Sequence, residues 1–304
     1  MDGLVADSAG APATRGGWAL RVPRMVPVDA ERPHGEGSDT VDERSRDRIQ
    51  SIERGVEVLR AFGGREGSLS VADIAARVDL ARPVVRRILL TFAHLGYAES
   101  AGGLWSLTPR ILELGSGYFA ASSLPEISYG YMLDLVDRAG ETCSIGVLDG
   151  MDVIHVARVE DSRPMPDSVR IGNRLPAHAT AIGKVLLARL SESELDAVLA
   201  DAALERHTPA TITDVQLLRA RVDEVRELNY DISLEELHPG RVSAAVPILV
   251  GEKAVGGLAV SSTTVRETEE SLRDTIVPIL FSVAAEIASA YRNANPQLFR
   301  ANGR

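Results

Sequence analysis

Two adjacent arginines, Arg86 and Arg87, sit in the segment LARPVVRRILLTFAHLG, residues 80 to 96. A guanidinium is a planar fork of donors that fits a guanine edge or a phosphate. At 100° per residue both side chains face away from a stripe of Val85, Ile88, Leu89, Phe92 and Leu95, and Arg82 falls at its edge. An apolar back and a cationic front are what a helix needs to be held in a domain and enter a major groove. A solvated surface helix carries the same pattern, so the flanking elements decide between the two.

Other residues able to do chemistry are sparse. The histidines are His34, His94, His155, His178, His207 and His238, and none has a metal-ligand spacing such as H-E-x-x-H. The single cysteine, Cys143, excludes an internal disulfide and a multi-cysteine metal site. It opens an apolar strand with no basic residue beside it, which fits an inert buried thiol; a redox-sensing thiol is the competing reading. AIGKVLL holds a Gly-Lys pair without the earlier glycine of a phosphate loop, and no serine sits in a G-x-S-x-G elbow. Glu235-Glu236 falls in a loop or at a strand end. No catalytic residue, metal or cofactor is expected.

The elements around the arginines are more informative. SIERGVEVLRAF predicts a helix with Ile52, Val56 and Leu59 inward and Ser51 as N-cap. SVADIAARV predicts a second, with Ser70 capping, Asp73 completing a capping box, and a stripe of Val71, Ile74, Ala75 and Val78. A short turn through Asp79 leads into the arginine helix, which has Pro83 in its first turn and Gly96 at its stop. YAES and LWSL alternate with period two around Ala101-Gly102-Gly103, a hairpin signal. Three helices and a hairpin make a winged helix-turn-helix. Its candidate DNA contacts are Ser70, Arg82, Pro83, Arg86 and Arg87.

Thr108-Pro109 opens another helix, with Ile111, Leu114, Gly115 and Tyr118 on one side, ending near Ser122-Ser123. The remainder is α+β. PEISYGYMLDLVDRAG is helical, and TCSIGVL and DVIHVARV are strands joined through Asp149-Gly150. HATAIGKVLLARL, SESELDAVLA and DVQLLRARVDEVRELN are helices; VSAAVPILV and AVGGLAVSS pair across Gly251-Glu252-Lys253; a long helix runs from Thr268 to Tyr291. The expected division is a disordered tail over 1–45 (or an arm docked through Trp18 and Leu20), the winged helix over 46–108, a linker helix over 109–123, a second domain over 124–293 and a tail over 294–304.

Charge supports this division. The chain of 304 residues carries −10, but residues 46–110 hold ten arginines against seven acids, a net +3 that leaves −13 for the rest. A local basic footprint on an acidic body fits a reader of double-stranded DNA. There is no uninterrupted apolar run of membrane-spanning length and no basic-then-apolar leader, so a cytoplasmic protein without membrane contact is expected.

SIERGVEVLRAF, LSVADIAARVDLARPVVRRIL and RIGNRLPAHATAIGKVLLA, with EELHPGRVSAAVPI and GGLAVSSTT in order behind them, resemble the IclR family of bacterial transcriptional regulators over residues 49–292. The third passage most resembles the branch that regulates protocatechuate and 4-hydroxybenzoate catabolism. The resemblance implies a C-terminal effector domain of GAF-like fold, a homodimer or homotetramer, an operator as partner and a small carboxylate as effector. The effector contacts it implies fall on Ala181, Ile182, Ser233, Ser243 and Ser261; His155 is a further polar candidate for orienting a ring hydroxyl. Ser233 and Ser243 stand where family members often have Asp or Cys, and RPVV replaces the usual Ser-Thr at the reading helix. A helix start in HATAIGK, with small side chains and free N–H groups, would suit a carboxylate; an ordinary buried helix start is the competing reading. Two alternatives to a ligand-responsive regulator stay open: a redox response through Cys143, and an enzyme or ligand-binding protein whose helix-turn-helix serves only association.

Overall fold

The computed structural model describes residues 48–64, 66–121, 123–163, 169–200 and 202–299. The tail expected over 1–45, with its Trp18–Leu20 arm, lies outside them. The N-terminal part runs α1 (Gln50–Arg60), β1 (Leu69–Ser70), α2 (Val71–Arg77), α3 (Arg82–His94), β2 (Ala98–Ala101) and β3 (Leu104–Leu107).

Each boundary has a local cause. The Ser70 hydroxyl accepts from the Asp73 N–H at 3.2 Å, and the Asp73 carboxylate accepts from the Ser70 N–H at 3.0 Å, so α2 starts on a complete capping box. Pro83 sits in the first turn of α3, where a missing N–H is harmless. Gly96, at φ +83°, ends α3, with the Tyr97 N–H reaching Phe92 O at 2.8 Å and the Gly96 N–H reaching Ala93 O at 3.0 Å. Gly102 and Gly103, both at positive φ, form the two-residue turn between β2 and β3. A strand that the sequence reading omitted, β1, pairs with β3 and makes a three-stranded sheet of order β1-β3-β2.

Two apolar faces differ from expectation. In α1, Ile52 and Val56 are 60% and 43% exposed, whereas Gly55 and Val58 are buried. Gly55 lies where a Cβ would touch Phe92 of α3, so the choice of inward face is set by that tertiary neighbour. Ser51 does not cap α1; the N-cap is Ile49. Leu95 is exposed, because α3 has already left the core there; Val85 and Leu89 carry the buried stripe.

A 3₁₀ turn (Pro109–Leu112) precedes the connecting helix α4 (Glu113–Ala121), whose Leu114, Tyr118 and Phe119 are exposed. The C-terminal part follows as α5 (Leu124–Ala139), β4 (Thr142–Asp149), β5 (Asp152–Val159), β6 (Arg174–Pro176), α6 (Ala181–Leu187), α7 (Glu192–Leu199), α8 (Val215–Leu228), β7 (Asp231–Leu234), β8 (Arg241–Val250), β9 (Lys253–Thr263) and α9 (Glu269–Ala294). The six strands form one antiparallel sheet of order β6-β5-β4-β9-β8-β7.

Strand alternation divides the sheet's two faces. Cys143, Ile145, Val242, Ala244, Val246, Leu258 and Val260 pack with Leu135 of α5 and Leu280, Val283 and Ile287 of α9. By length and composition α9 could cross a membrane, but this buried stripe makes it a core helix of the sheet. Its first turns open into a π segment (Leu272–Ile276) just before Pro278, which has no N–H to return to the preceding turn. On the other face, Val153, Ala245 and Ala259 pack with α6, α7 and α8. Gly146 and Gly257 let Ile182 of α6 lie directly on the sheet; a Cβ at Gly257 would come within 2.9 Å of its Cγ2.

Candidate functional site

Two cationic places stand out. The first is the outer face of α3. Arg82, Pro83, Arg86 and Arg87 are exposed there, while Val85 and Leu89 hold the helix from behind. Among the described residues no carboxylate lies within ion-pair distance of Arg82, Arg86 or Arg87. Two arginines elsewhere in this part are committed internally: Arg77 donates to Ala61 O at 3.0 Å and pairs with Glu66, and Arg110 pairs with Glu113 at 3.4 Å. Ser70 is half-buried and its hydroxyl is engaged with Asp73, so its first task is to start α2.

The second place is a cavity between α6 and the sheet. It is lined by Ser144, His155, Arg158, Leu175, Thr180, Ala181, Ile182, Ser233, His238, Arg241, Ser243, Ala259 and Ser261, among others. All six effector candidates named from the sequence therefore line one cavity, Ala181 and Ile182 from α6 and the other four from the sheet. The register explains the convergence: Ser233 faces Ser243, and Ser243 faces Ser261, across β7, β8 and β9. On the other side Arg158 faces Ser144, which faces Ala259.

The sequence reading missed Arg158, and the reason is a bulge. Ile145 pairs with Ala157 and Gly146 with His155, so Val156 is skipped. In a regular strand His155 and Arg158 would point to opposite faces. The bulge turns both toward the cavity, while Val156 and Ala157 both go to the α9 side. Arg241 and His238 at the β7–β8 connection add further basic groups to the lining. No Asp or Glu lines the cavity among the described residues.

His155 is 5% exposed and its Nδ1 lacks a hydrogen-bond partner. Burial, helped by the nearby Arg158 charge, pushes its pKa down to about 4, so the imidazole is neutral at physiological pH. The helix start expected in HATAIGK is shorter than the sequence implied. Ala177–Ala179 form a 3₁₀ turn, α6 has seven residues, and Thr180 caps the Gly183 N–H at 3.1 Å. Only the N–H groups of Ala181 and Ile182 remain for a ligand at that end.

Beside the cavity lies an ion cluster that no motif or spacing announces. The Lys184 ammonium is 1% exposed, sits 3.0 Å from Asp231 and pairs with Glu236. Arg221 of α8 closes on Asp231 at 2.7 Å. Burial raises the pKa of Glu236, and Lys184 pulls it partly back. Glu235-Glu236 thus lies beyond a strand end as expected, but Glu236 is an internal counter-ion. Cys143 is fully buried on the opposite face of the sheet, its thiol is near Met132 O at 3.5 Å, and burial pushes its pKa up to about 12. A thiol so protonated and enclosed is a poor redox sensor.

Residues 51–102 match the model of the IclR helix-turn-helix domain, and residues 118–289 match that of the bacterial transcriptional regulator IclR C-terminal domain. The chain is 34% identical over 260 residues to the p-hydroxybenzoate hydroxylase transcriptional activator of Acinetobacter baylyi, covering 84% of this chain and 95% of that protein. A solved structure from Rhodococcus sp. RHA1, described as that of a transcriptional regulator, is 37% identical with a TM-score of 0.70, covering 82% of this chain and all of the other. A double mutant of the inducer-binding domain of the PobR transcription factor from Acinetobacter, solved with 3-hydroxybenzoic acid, is 36% identical with a TM-score of 0.51, covering 54% of this chain and 97% of that one.

Proposed function

The chain belongs to the IclR family of bacterial transcriptional regulators, and from that premise we propose that it controls genes of aromatic-acid catabolism in response to a small hydroxylated aromatic carboxylate. It is a ligand-responsive DNA-binding regulator and not an enzyme. The observation that carries the ligand class is the cavity lining: two arginines, two histidines and several serines, with no carboxylate among the described residues. A site of that composition favours an anion with further polar groups. The names of the Acinetobacter relatives support 4-hydroxybenzoate and 3-hydroxybenzoate as first compounds, and the branch resemblance of the sequence adds protocatechuate.

In this reading residues 46–108 read DNA, 109–123 link, and 124–293 bind the effector. Arg86 and Arg87 enter the major groove with Arg82 and Pro83 at the helix start. A pseudo-palindromic operator requires two such units, so the working form is a homodimer or homotetramer in the cytoplasm. The exposed apolar residues of α1 and α4, among them Ile52, Val56, Leu114 and Tyr118, are available for that association. The effector acts by binding one arrangement of the assembly better than another, which shifts operator occupancy. The test is to map the protein's sites on its own genome with and without 4-hydroxybenzoate. Sites beside genes of hydroxybenzoate or protocatechuate breakdown, with occupancy that changes with the acid, support the reading; sites beside unrelated genes, unresponsive to any aromatic acid, overturn it.

A further inference from the structure

We propose that Arg158 fixes the carboxylate of the effector, and that His155, brought to the same wall by the bulge in β5, takes a second polar group of the same ligand. The proposal rests on the cavity being the effector site. Its class of ligand is a flat monoacid bearing a hydroxyl, held at two separate polar points.

Four observations carry it. The first is the burial of the Arg158 side chain, which is 7% exposed, while its one ion partner among the described residues, Glu160, is 53% exposed. Glu160 accepts from Nε at 3.1 Å, which leaves the two terminal amino groups outside that hydrogen bond, and the residue lines the cavity. A guanidinium taken out of water without a buried anion is costly, and an arriving carboxylate offsets that cost. The second is the modest strength of the alternatives. The two-turn α6 has given its Gly183 N–H to Thr180, and Arg241 is already engaged within the chain.

The third is the bulge itself. It is a local departure from regular pairing, and its effect is to place residues 155 and 158 on one face. The fourth is the unsatisfied Nδ1 of His155. It is buried, it lines the same cavity, and a neutral imidazole nitrogen can donate to or accept from a ligand hydroxyl. Bidentate Arg–carboxylate pairing then fixes the ligand's direction, and His155 reads what lies beyond the acid.

The experiment uses the full chain and calorimetry with benzoate, 4-hydroxybenzoate, 3-hydroxybenzoate, protocatechuate and the matching neutral amides. Wild-type protein should prefer the best-bound acid to its amide. Arg158→Met or Arg158→Gln should weaken that acid roughly 10- to 100-fold, the range for a charge-assisted hydrogen bond, and change the amide less than about 3-fold. His155→Phe should reduce the preference for the hydroxylated acid over benzoate. Variants that melt like wild type yet bind the acid equally well, or lose acid and amide alike, overturn the proposal and leave the effector reading standing. Wild-type protein that binds none of these acids removes the aromatic-acid reading and this proposal with it. Should both Arg158 variants misfold, a crystal structure of the wild-type complex decides: a carboxylate on the Arg158 guanidinium supports the proposal, and a carboxylate held elsewhere overturns it.

Discussion

The outer face of α3 and the wall of the cavity use the same side chain in opposite settings. Arg86 and Arg87 stand in solvent; the Arg158 side chain is almost entirely enclosed. A charge in water is screened by salt and contributes little to folding. A charge in a low-dielectric wall is worth more when paired and costs more when not. The exposed face of α3, proposed to read DNA, should therefore tolerate mutation in stability and be salt-sensitive in function. The C-terminal sheet domain should show the reverse, and its extreme case is the ion cluster beside the cavity.

The largest effect is expected there. Lys184→Ala leaves Asp231 and Glu236 without their shared cation in a buried site, a loss of about 3–5 kcal/mol. Arg86→Ala should change stability by no more than about 0.5 kcal/mol. Urea unfolding of the two variants tests the contrast directly, and equal midpoints would break it.

The next effect is pH-dependent. Folded His155 titrates at about 4, against 6.5 for the ordinary side chain. Between those values the unfolded chain takes up a proton that the folded chain refuses. This contribution is complete above pH 6.5 and is lost as pH falls toward 4, by about 3 kcal/mol in all. His155→Asn should flatten the stability profile of the ligand-free protein across that window; an unchanged slope would show that the imidazole is better solvated than its surroundings indicate.

Smaller again is the effect on the exposed face. Arg86→Ala or Arg87→Ala should cost roughly 1–3 kcal/mol of operator affinity where the side chain reads a base. Where it meets only phosphate, affinity should fall evenly across sequences and the salt slope should drop by about one. Anisotropy titrations at several salt concentrations separate the two, and a folded double variant with wild-type affinity would falsify the assignment of this face.

Legibility in the sequence follows the range of the interactions. The N-terminal part is written in local signals: a capping box at Ser70 and Asp73, a proline in the first turn of α3, Gly96 at its end and a Gly-Gly hairpin. The inward face of α1 was not legible, because apolar residues lie on both sides of it and Phe92, far along the chain, decides between them. In the cavity, Ser233, Ser243 and Ser261 were named through the family resemblance, and only strand register makes them neighbours. Arg158 was hidden by a one-residue bulge that periodicity cannot show. Lys184 was hidden in an apolar run, with its partner Glu236 52 positions away.

The smallest expected effect concerns Ser70, which was read from sequence as a DNA contact. Its hydroxyl accepts from the Asp73 N–H and donates to the Asp73 carboxylate at 2.6 Å. With both roles filled, a phosphate would have to compete with an intact capping box. Ser70→Ala should thus cost about 1 kcal/mol of stability, the usual value for a lost cap, because the first turn of α2 loses a partner for one of its free N–H groups. Operator affinity of the folded variant should stay within about 2-fold of wild type, since the loss would be absorbed in folding and Arg86 and Arg87 would keep their places on α3. Thermal melts and operator titrations below the melting transition give the two numbers independently. A fall in affinity with no fall in stability would return Ser70 to the DNA interface, and would extend the reading surface from α3 back to the start of α2.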